Sequence, residues 1–98
     1  MTMINPVSGY DISKTSKYKK NCKPYGNMKN KILNVELKIV GNPHKTTELH
    51  GALSGNCDGL LHARVDRNMR ILYEPDHEHR IIFLKDFLTH REMDKKCS

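Results

Sequence analysis

Three short apolar runs in the C-terminal half most constrain how this 98-residue chain can fold. They span Leu60 to Val65, Met69 to Glu74 and Arg80 to Phe87, and they hold many aliphatic and aromatic residues that favour strands. Only residues 66–68 separate the first two runs, and residues 75–79 separate the second from the third. Because connections this short join antiparallel neighbours, the runs predict three strands of an antiparallel meander.

The N-terminal half predicts two helices. Residues 14–23 hold five lysines and are followed by Pro24 and Gly26, which predicts a short polar helix that ends there. Residues 27–40 carry apolar side chains at helical spacing, and Asn27 is a suitable N-cap. The apolar stripe of this second helix consists of Met28, Ile32, Val35 and Ile39.

These elements predict an α+β fold. Residues 7–13 are interpreted as a short first strand and residues 43–59 as a loop. The predicted architecture is an N-terminal helical hairpin packed on a small antiparallel β-sheet. The length suits a single domain over residues 1–98, with residues 1–6 as a flexible leader and 95–98 as a tail.

The charge of the chain favours an anionic partner. Lys and Arg number 17 against 11 Asp and Glu, which gives a formal net charge of +6. A basic surface on a small domain suits nucleic acid, an acidic protein or an anionic membrane. A solvated surface that only keeps the protein soluble is the competing interpretation.

The cysteines and the hydropathy bear on the cellular setting. Cys22, Cys57 and Cys97 are odd in number and widely spaced, so neither a disulfide framework nor a zinc ribbon is indicated. We interpret Cys57 as a small buried apolar residue, and this cysteine usage suits a reducing cytoplasm. No apolar run approaches the ~20 residues of a membrane span, and the N-terminus lacks the regions of a signal peptide.

The order and spacing of several motifs resemble those of the RelE/ParE superfamily of toxins. A Leu-x-Gly-x-Leu-x-Gly-like loop over residues 49–55 leads into the strand–turn–strand segment of residues 60–73, which ends Arg70-Ile71-Leu72-Tyr73. Residues 81–90 are similar to the final strand and terminal histidine of the YafQ and YoeB branch. The likeness covers about residues 8–94.

The resemblance implies a function. Toxins of this branch enter the ribosomal A site and cut mRNA there without a metal or other cofactor, and the RNA 2′-hydroxyl attacks the adjacent phosphate. We therefore expect a cytoplasmic endoribonuclease whose partners are the ribosome, mRNA and a cognate antitoxin, with no membrane. A homodimer and a toxin–antitoxin hetero-oligomer both fit this expectation.

The resemblance also implies site residues. Arg70 matches the arginine before the aliphatic pair and tyrosine, and its side chain is expected at the surface, as is that of His90. Arg64 matches a basic residue on the preceding strand. His90 matches the terminal histidine, which can give or take a proton near neutral pH. His50 lies one place from a loop histidine of the YafQ branch, and Glu48 one place from a glutamate of the YoeB branch. The basic residues expected to contact RNA or the ribosome are Lys17, Lys19, Lys20, Arg67 and Lys85.

Departures from the branch and other chemistries leave alternatives open. Asn68 stands where the YafQ branch has aspartate, and no aromatic residue follows His90. The segment His77-Glu78-His79, with Cys57 and His62, matches no common zinc-ligand spacing, so no metal site is predicted. Two other functions share the expected fold: a non-enzymatic ParE-like toxin that binds a protein such as DNA gyrase, and a degenerate homologue that only binds antitoxin.

Overall fold

The computed structural model describes residues 9–43, 50–52 and 55–98, and only the backbone of residues 50–52. The described helices are α1 (Ser16–Cys22), α2 (Lys29–Gly41) and α3 (His90–Lys96). The strands are β1 (Asp11–Lys14), β2 (His50–Ala52), β3 (Leu61–Arg64), β4 (Met69–Asp76) and β5 (Ile81–Thr89). Short 3₁₀ helices occupy Lys23–Met28 and Gly55–Cys57.

The strands form one five-stranded sheet in the order β1-β5-β4-β3-β2. β2, β3, β4 and β5 are antiparallel neighbours, so the predicted meander and the α+β class are confirmed. The sheet as a whole is mixed, because β1 pairs with β5 in parallel. The paired residues of β1 and β5 are 70 positions apart in the chain. Such a distant pairing leaves no local signal in the sequence, which explains why only antiparallel neighbours were predicted.

The two predicted N-terminal helices are present with different ends. A 3₁₀ helix at Lys23–Met28 continues α1 past Pro24 and runs directly into α2. Asn27 is therefore not the N-cap of α2; Met28 holds that position and makes no side-chain capping bond. Residues 43–59, predicted as a loop, contain the short strand β2 and the second 3₁₀ helix.

The C-terminal helix α3 was not predicted. Of residues 95–98, expected as a tail, Lys95 and Lys96 end this helix and Cys97 is its C-cap. Cys97 is disulfide-bonded to Cys57. The sequence indicated no disulfide, and that interpretation is wrong because two distant cysteines meet when α3 packs beside the second 3₁₀ helix. Cys57 is buried as expected but is a disulfide partner, so the cysteines no longer argue for a reducing compartment. Of the predicted leader, residues 1–6 lie outside the described part of the chain.

The sheet is covered on both faces. On one face Ile71, Tyr73 and Leu84 pack against residues of α1 and α2, and these three side chains are almost fully buried. On the other face α3 places Met93 over Leu72 and Leu88. Burying an aliphatic side chain of this size contributes about 1.5–3 kcal/mol, so both layers stabilise the fold. None of the described helices is long and apolar enough to cross a membrane.

Candidate active site

The turn between β3 and β4 is organised by Asp66. Its Oδ1 accepts hydrogen bonds from the backbone N–H groups of Asn68 and Met69, both at 2.8 Å. Burial alone would raise the pKa of Asp66, but the two backbone donors and the positive charges of Lys31 and Arg70 together outweigh it and hold the pKa below its usual range. A side chain that accepts from the backbone two and three residues later makes an Asx turn, which fixes the carbonyl groups of this segment.

Arg70 follows this turn on β4, and its side chain is held in the fold. Nη1 donates to the carbonyl oxygens of Asp66 at 2.8 Å and of Met69 at 3.0 Å, with that of Arg67 at 3.4 Å. The residue is only 8% exposed. We expected an exposed side chain, and that expectation is wrong because the turn carbonyls and α3 enclose the guanidinium.

Arg64 lies directly opposite Arg70 in the β3–β4 register. Its Nε also donates to the carbonyl oxygen of Asp66, at 3.3 Å, so the two guanidinium groups converge. Burial and the positive charge of Arg64 lower the pKa of Arg70. Because a guanidinium stays protonated in proteins, the result is two cations side by side.

His90 begins α3 beside the same turn. Its backbone N–H donates to the carbonyl oxygen of Asn68 at 2.6 Å, and Thr89 and Glu92 form a capping box at this helix end. Its Nδ1 lies 3.0 Å from Nη2 of Arg70, and its Nε2 lies 3.1 Å from Oδ2 of Asp94. The His90 side chain is 51% exposed, so a ligand can reach the imidazole from solvent.

The cluster of Arg64, Arg70, His90 and Asp94 can bind an anion and move a proton at one place. The fixed guanidinium of Arg70 suits an oxyanion such as phosphate. The imidazole of His90 beside it is a group that can give or take a proton in a reaction. Within the described residues, no group of three His, Cys, Asp or Glu side chains is placed to hold a metal ion.

Of the four residues predicted as catalytic, the structure brings Arg64, Arg70 and His90 together. The backbone of His50 begins β2 and lies opposite Ala63, while its side chain lies outside the described part of the chain. Glu48, the additional candidate, also lies outside it.

The basic residues predicted to bind RNA are spread over the surface. Lys17 forms an ion pair with Asp86 at 3.4 Å, and Lys85 lies 3.5 Å from Glu74. Lys19 and Lys20 are exposed on α1, and Arg67 is exposed in the turn next to the cluster. Of these five basic residues, Arg67 therefore adjoins the cluster of Arg64, Arg70, His90 and Asp94, through the β3–β4 turn.

Two residues of this site were missed by the sequence reasoning. Asp66 begins the three-residue turn, and an aspartate at that position is a recognised turn signal. Asp94 is four residues after His90, a spacing that brings side chains together only on a helix. The Thr89-x-x-Glu92 capping box was the signal for that helix.

No protein-family model matches the sequence, and no curated protein sequence does either. Solved structures do match. YafQ from E. coli strain BL21(DE3) is 15% identical, with a TM-score of 0.70 over 86% of this chain and 97% of that one. A YoeB/ParE toxin from Agrobacterium tumefaciens is 14% identical, with a TM-score of 0.71 over 82% and 98%. The toxin–antitoxin complex RelBE2 from Mycobacterium tuberculosis is 16% identical, with a TM-score of 0.66 over 83% and 98%.

These likenesses establish the fold. The chain has the architecture of RelE/ParE toxins, and structures named YafQ and YoeB/ParE are among those it matches. The resemblance predicted from the sequence is confirmed at this level.

Proposed function

We propose that this chain is the toxin of a type II toxin–antitoxin system and a ribosome-dependent mRNA endoribonuclease. The observation that carries the proposal is the 3.0 Å contact between Arg70 Nη2 and His90 Nδ1. It places a fixed positive charge and a proton-transfer group side by side, with Arg64 opposite Arg70. One of the similar structures is named as a YoeB/ParE toxin and another as a toxin–antitoxin complex, which supports the toxin role and an antitoxin partner.

The proposed reaction is attack by an RNA 2′-hydroxyl on the neighbouring phosphate. The O2′–P bond forms and the P–O5′ bond breaks, which leaves a 2′,3′-cyclic phosphate and a 5′-hydroxyl. Negative charge grows on the non-bridging oxygens, and the guanidinium of Arg70 stabilises it without reorganising because three carbonyl groups already hold Nη1. An incoming phosphate oxygen takes the Nη2 hydrogen bond that His90 Nδ1 accepts in the free protein.

The rest of the surface supports binding to RNA and to an acidic partner. Lys19, Lys20 and Arg67 are exposed and can contact phosphates of mRNA or of the ribosome. The same positive charge suits an acidic or amphipathic segment of an antitoxin. Since the ribosome is the proposed target, the activity belongs in the cytoplasm.

The experiment that tests the proposal incubates purified protein with ribosomes stalled on a defined mRNA and maps the new RNA ends. We expect cleavage at the A-site codon that requires the ribosome and leaves a 2′,3′-cyclic phosphate and a 5′-hydroxyl. Intact mRNA in the presence of folded protein would overturn the nuclease function. Inhibition of DNA gyrase by the same preparation would then favour the ParE-like alternative, and antitoxin binding alone would favour the degenerate homologue.

A further inference from the structure

We infer that Asp94 is a positioning residue for His90. Its carboxylate accepts a hydrogen bond from the Nε2–H of the imidazole. This contact favours the tautomer in which Nδ1, the nitrogen that faces Arg70, is free to accept a proton during RNA cleavage. This inference rests on the proposed nuclease function and adds to it a residue that the sequence resemblance does not supply.

The first step of the argument concerns which nitrogen of His90 carries the proton. Nη2 of Arg70 lies 3.0 Å from Nδ1 of His90. A guanidinium has hydrogen-bond donors and no acceptor, so Nδ1 must be the acceptor in this contact. A neutral imidazole has a single N–H, and it must therefore be on Nε2.

The second step concerns the group that holds this proton. Oδ2 of Asp94 lies 3.1 Å from Nε2 of His90, four residues further along α3. The two ring nitrogens are therefore engaged by groups of opposite charge, Arg70 from β4 and Asp94 from α3. Arg64 on β3 adds a second positive charge on the Nδ1 side through its place opposite Arg70. This arrangement orients the ring and selects one tautomer.

The helix itself gives little reason for an aspartate at this position. Asp94 lies in the C-terminal half of α3, where the helix dipole disfavours a carboxylate. Aspartate is also a poor helix former compared with alanine. Its side chain is 67% exposed, so it contributes little to packing. The contact with His90 is thus the main interaction that the carboxylate makes in the described structure.

The chemistry follows from the tautomer. When a phosphate oxygen accepts the Nη2 hydrogen bond of Arg70, the lone pair of Nδ1 becomes available. The 2′-hydroxyl proton then moves to Nδ1 as the O2′–P bond forms, and the departing 5′-oxygen takes a proton from water. The resulting imidazolium is stabilised by the neighbouring carboxylate of Asp94.

The test uses two variants at this position. Asp94→Ala removes the acceptor and the charge while improving helix propensity, so a loss of activity cannot come from a weaker helix. Asp94→Asn keeps an acceptor oxygen and removes the charge. We expect Asp94→Ala to cleave about tenfold more slowly, less than the ~10⁴-fold loss on altering the aspartate of a serine-protease triad, because Asp94 is exposed. Asp94→Asn should fall between the alanine variant and the wild type.

The second measurement is the ¹⁵N chemical shifts of the His90 ring in the free protein, at a pH where the ring is neutral. We expect only the Nε2-protonated ring in the wild type. In Asp94→Ala the hydrogen bond from Arg70 alone still selects this tautomer, so we expect a detectable share of rings that have turned away from Arg70 and carry the proton on Nδ1. The control is Glu78→Ala, which removes a negative charge in the exposed β4–β5 turn. It should keep the wild-type ¹⁵N shifts of the His90 ring and the wild-type cleavage rate.

The outcomes are distinguishable from failure of the proposed function. An Asp94→Ala protein that cleaves at the wild-type rate, or whose His90 ring is still found only in the Nε2-protonated form, overturns the positioning role, even if the wild type is a nuclease. A wild type that does not cleave overturns the nuclease function and with it the role of Asp94 in catalysis, whatever the tautomer. Slower cleavage together with mixed tautomers supports the inference.

Discussion

Arg64 and Arg70 lie directly opposite one another on neighbouring strands, and both guanidinium groups donate to the carbonyl oxygen of Asp66. Like charges placed across two strands repel each other. The carboxylates that offset the charge of Arg70 belong to Asp66 and Asp94, and Asp66 also accepts two backbone hydrogen bonds. The free protein thus holds a concentration of positive charge that a bound phosphate would neutralise.

The first prediction follows from this repulsion. Arg64→Gln keeps a donor for the carbonyl of Asp66 and removes one of the two cations. We expect the free energy of unfolding to stay the same or rise by up to about 0.5 kcal/mol at low ionic strength, while mRNA cleavage slows. Urea unfolding at low and high salt measures the change in the free energy of unfolding. Any gain in stability should disappear at high salt, because salt screens the repulsion between the two arginines. A less stable Arg64→Gln protein would show that the two charges do not oppose folding.

The second prediction concerns the burial of Arg70. In Arg70→Ala the carbonyl oxygens of Asp66 and Met69 each lose a charged donor and keep only the hydrogen bonds from Arg64 Nε and from the Val65 N–H. We therefore expect a loss of about 1–3 kcal/mol in the free energy of unfolding. Arg70→Lys should also be destabilised, because an ammonium group lacks the planar set of donors. Urea unfolding followed by circular dichroism measures both variants. The control is Lys38→Ala, which removes an exposed charge on α2. If Arg70→Ala were as stable as this control, the contacts described for Arg70 would be contradicted.

The third prediction concerns acid stability through Asp86, which joins three elements. Its carboxylate accepts from Asn21 at 2.7 Å and from Lys96 at 2.9 Å, and Lys17 lies 3.4 Å away. Burial raises the pKa of Asp86, but the hydrogen bonds from Lys96 and Asn21 and the lysine charges outweigh it, so the pKa lies below its usual range. A carboxyl group with a lowered pKa in the folded state stabilises the protein above the unfolded value of about 3.9 and loses this effect as the pH falls through the folded value.

We therefore expect Asp86→Asn to lower the free energy of unfolding by about 1–3 kcal/mol near neutral pH. This loss is smaller than the ~3–5 kcal/mol for breaking a fully buried ion pair, since both lysines are partly exposed and can return to water. The difference between wild type and variant should shrink as the pH falls below about 4. Urea unfolding from neutral to acid pH measures it, with Asp58→Asn at an exposed site as the control; a difference that grows on acidification would contradict the role of Asp86.

The fourth prediction concerns the disulfide between Cys57 and Cys97, which closes a loop with a sequence separation of 40. The chain-entropy model gives such a crosslink about 3–4 kcal/mol of stabilisation. The oxidised wild type should therefore melt at a higher temperature than the same protein in reductant, and Cys97→Ala should melt at one temperature in both conditions. Equal melting temperatures for the oxidised and reduced wild type would show that the crosslink does not stabilise the fold.

The sequence predicted elements that have a local pattern and missed those that depend on distant partners. The stripe of residues 27–40 and the three apolar runs each form one element, because their periodicity is read from neighbouring residues. The parallel pairing of β1 with β5 has no such signal. Helix α3 is seven residues long and buries only Met93, so its apolar pattern is too short to read, and only its capping box marks it.

The same limits explain what was predicted of the site. Arg70 and His90 came from the resemblance, which carries residue types and spacing, and the structure places them in contact. The burial of Arg70 and the contact of Asp94 with His90 both depend on α3. Because that helix was missed, Arg70 was expected at the surface and Asp94 was not considered.

The most direct test of the central claim compares Arg70→Ala, His90→Gln and wild type on the same ribosome–mRNA complex, with folding of each checked by circular dichroism. We expect Arg70→Ala to lose at least about 2 kcal/mol of transition-state stabilisation and His90→Gln to cleave about 10²-fold more slowly, since proton transfer contributes at least that factor. His90→Gln should remain as stable as the wild type, because its side chain is half exposed. If both variants fold and cleave at the wild-type rate, Arg70 and His90 are not the active site and the proposed mechanism is wrong.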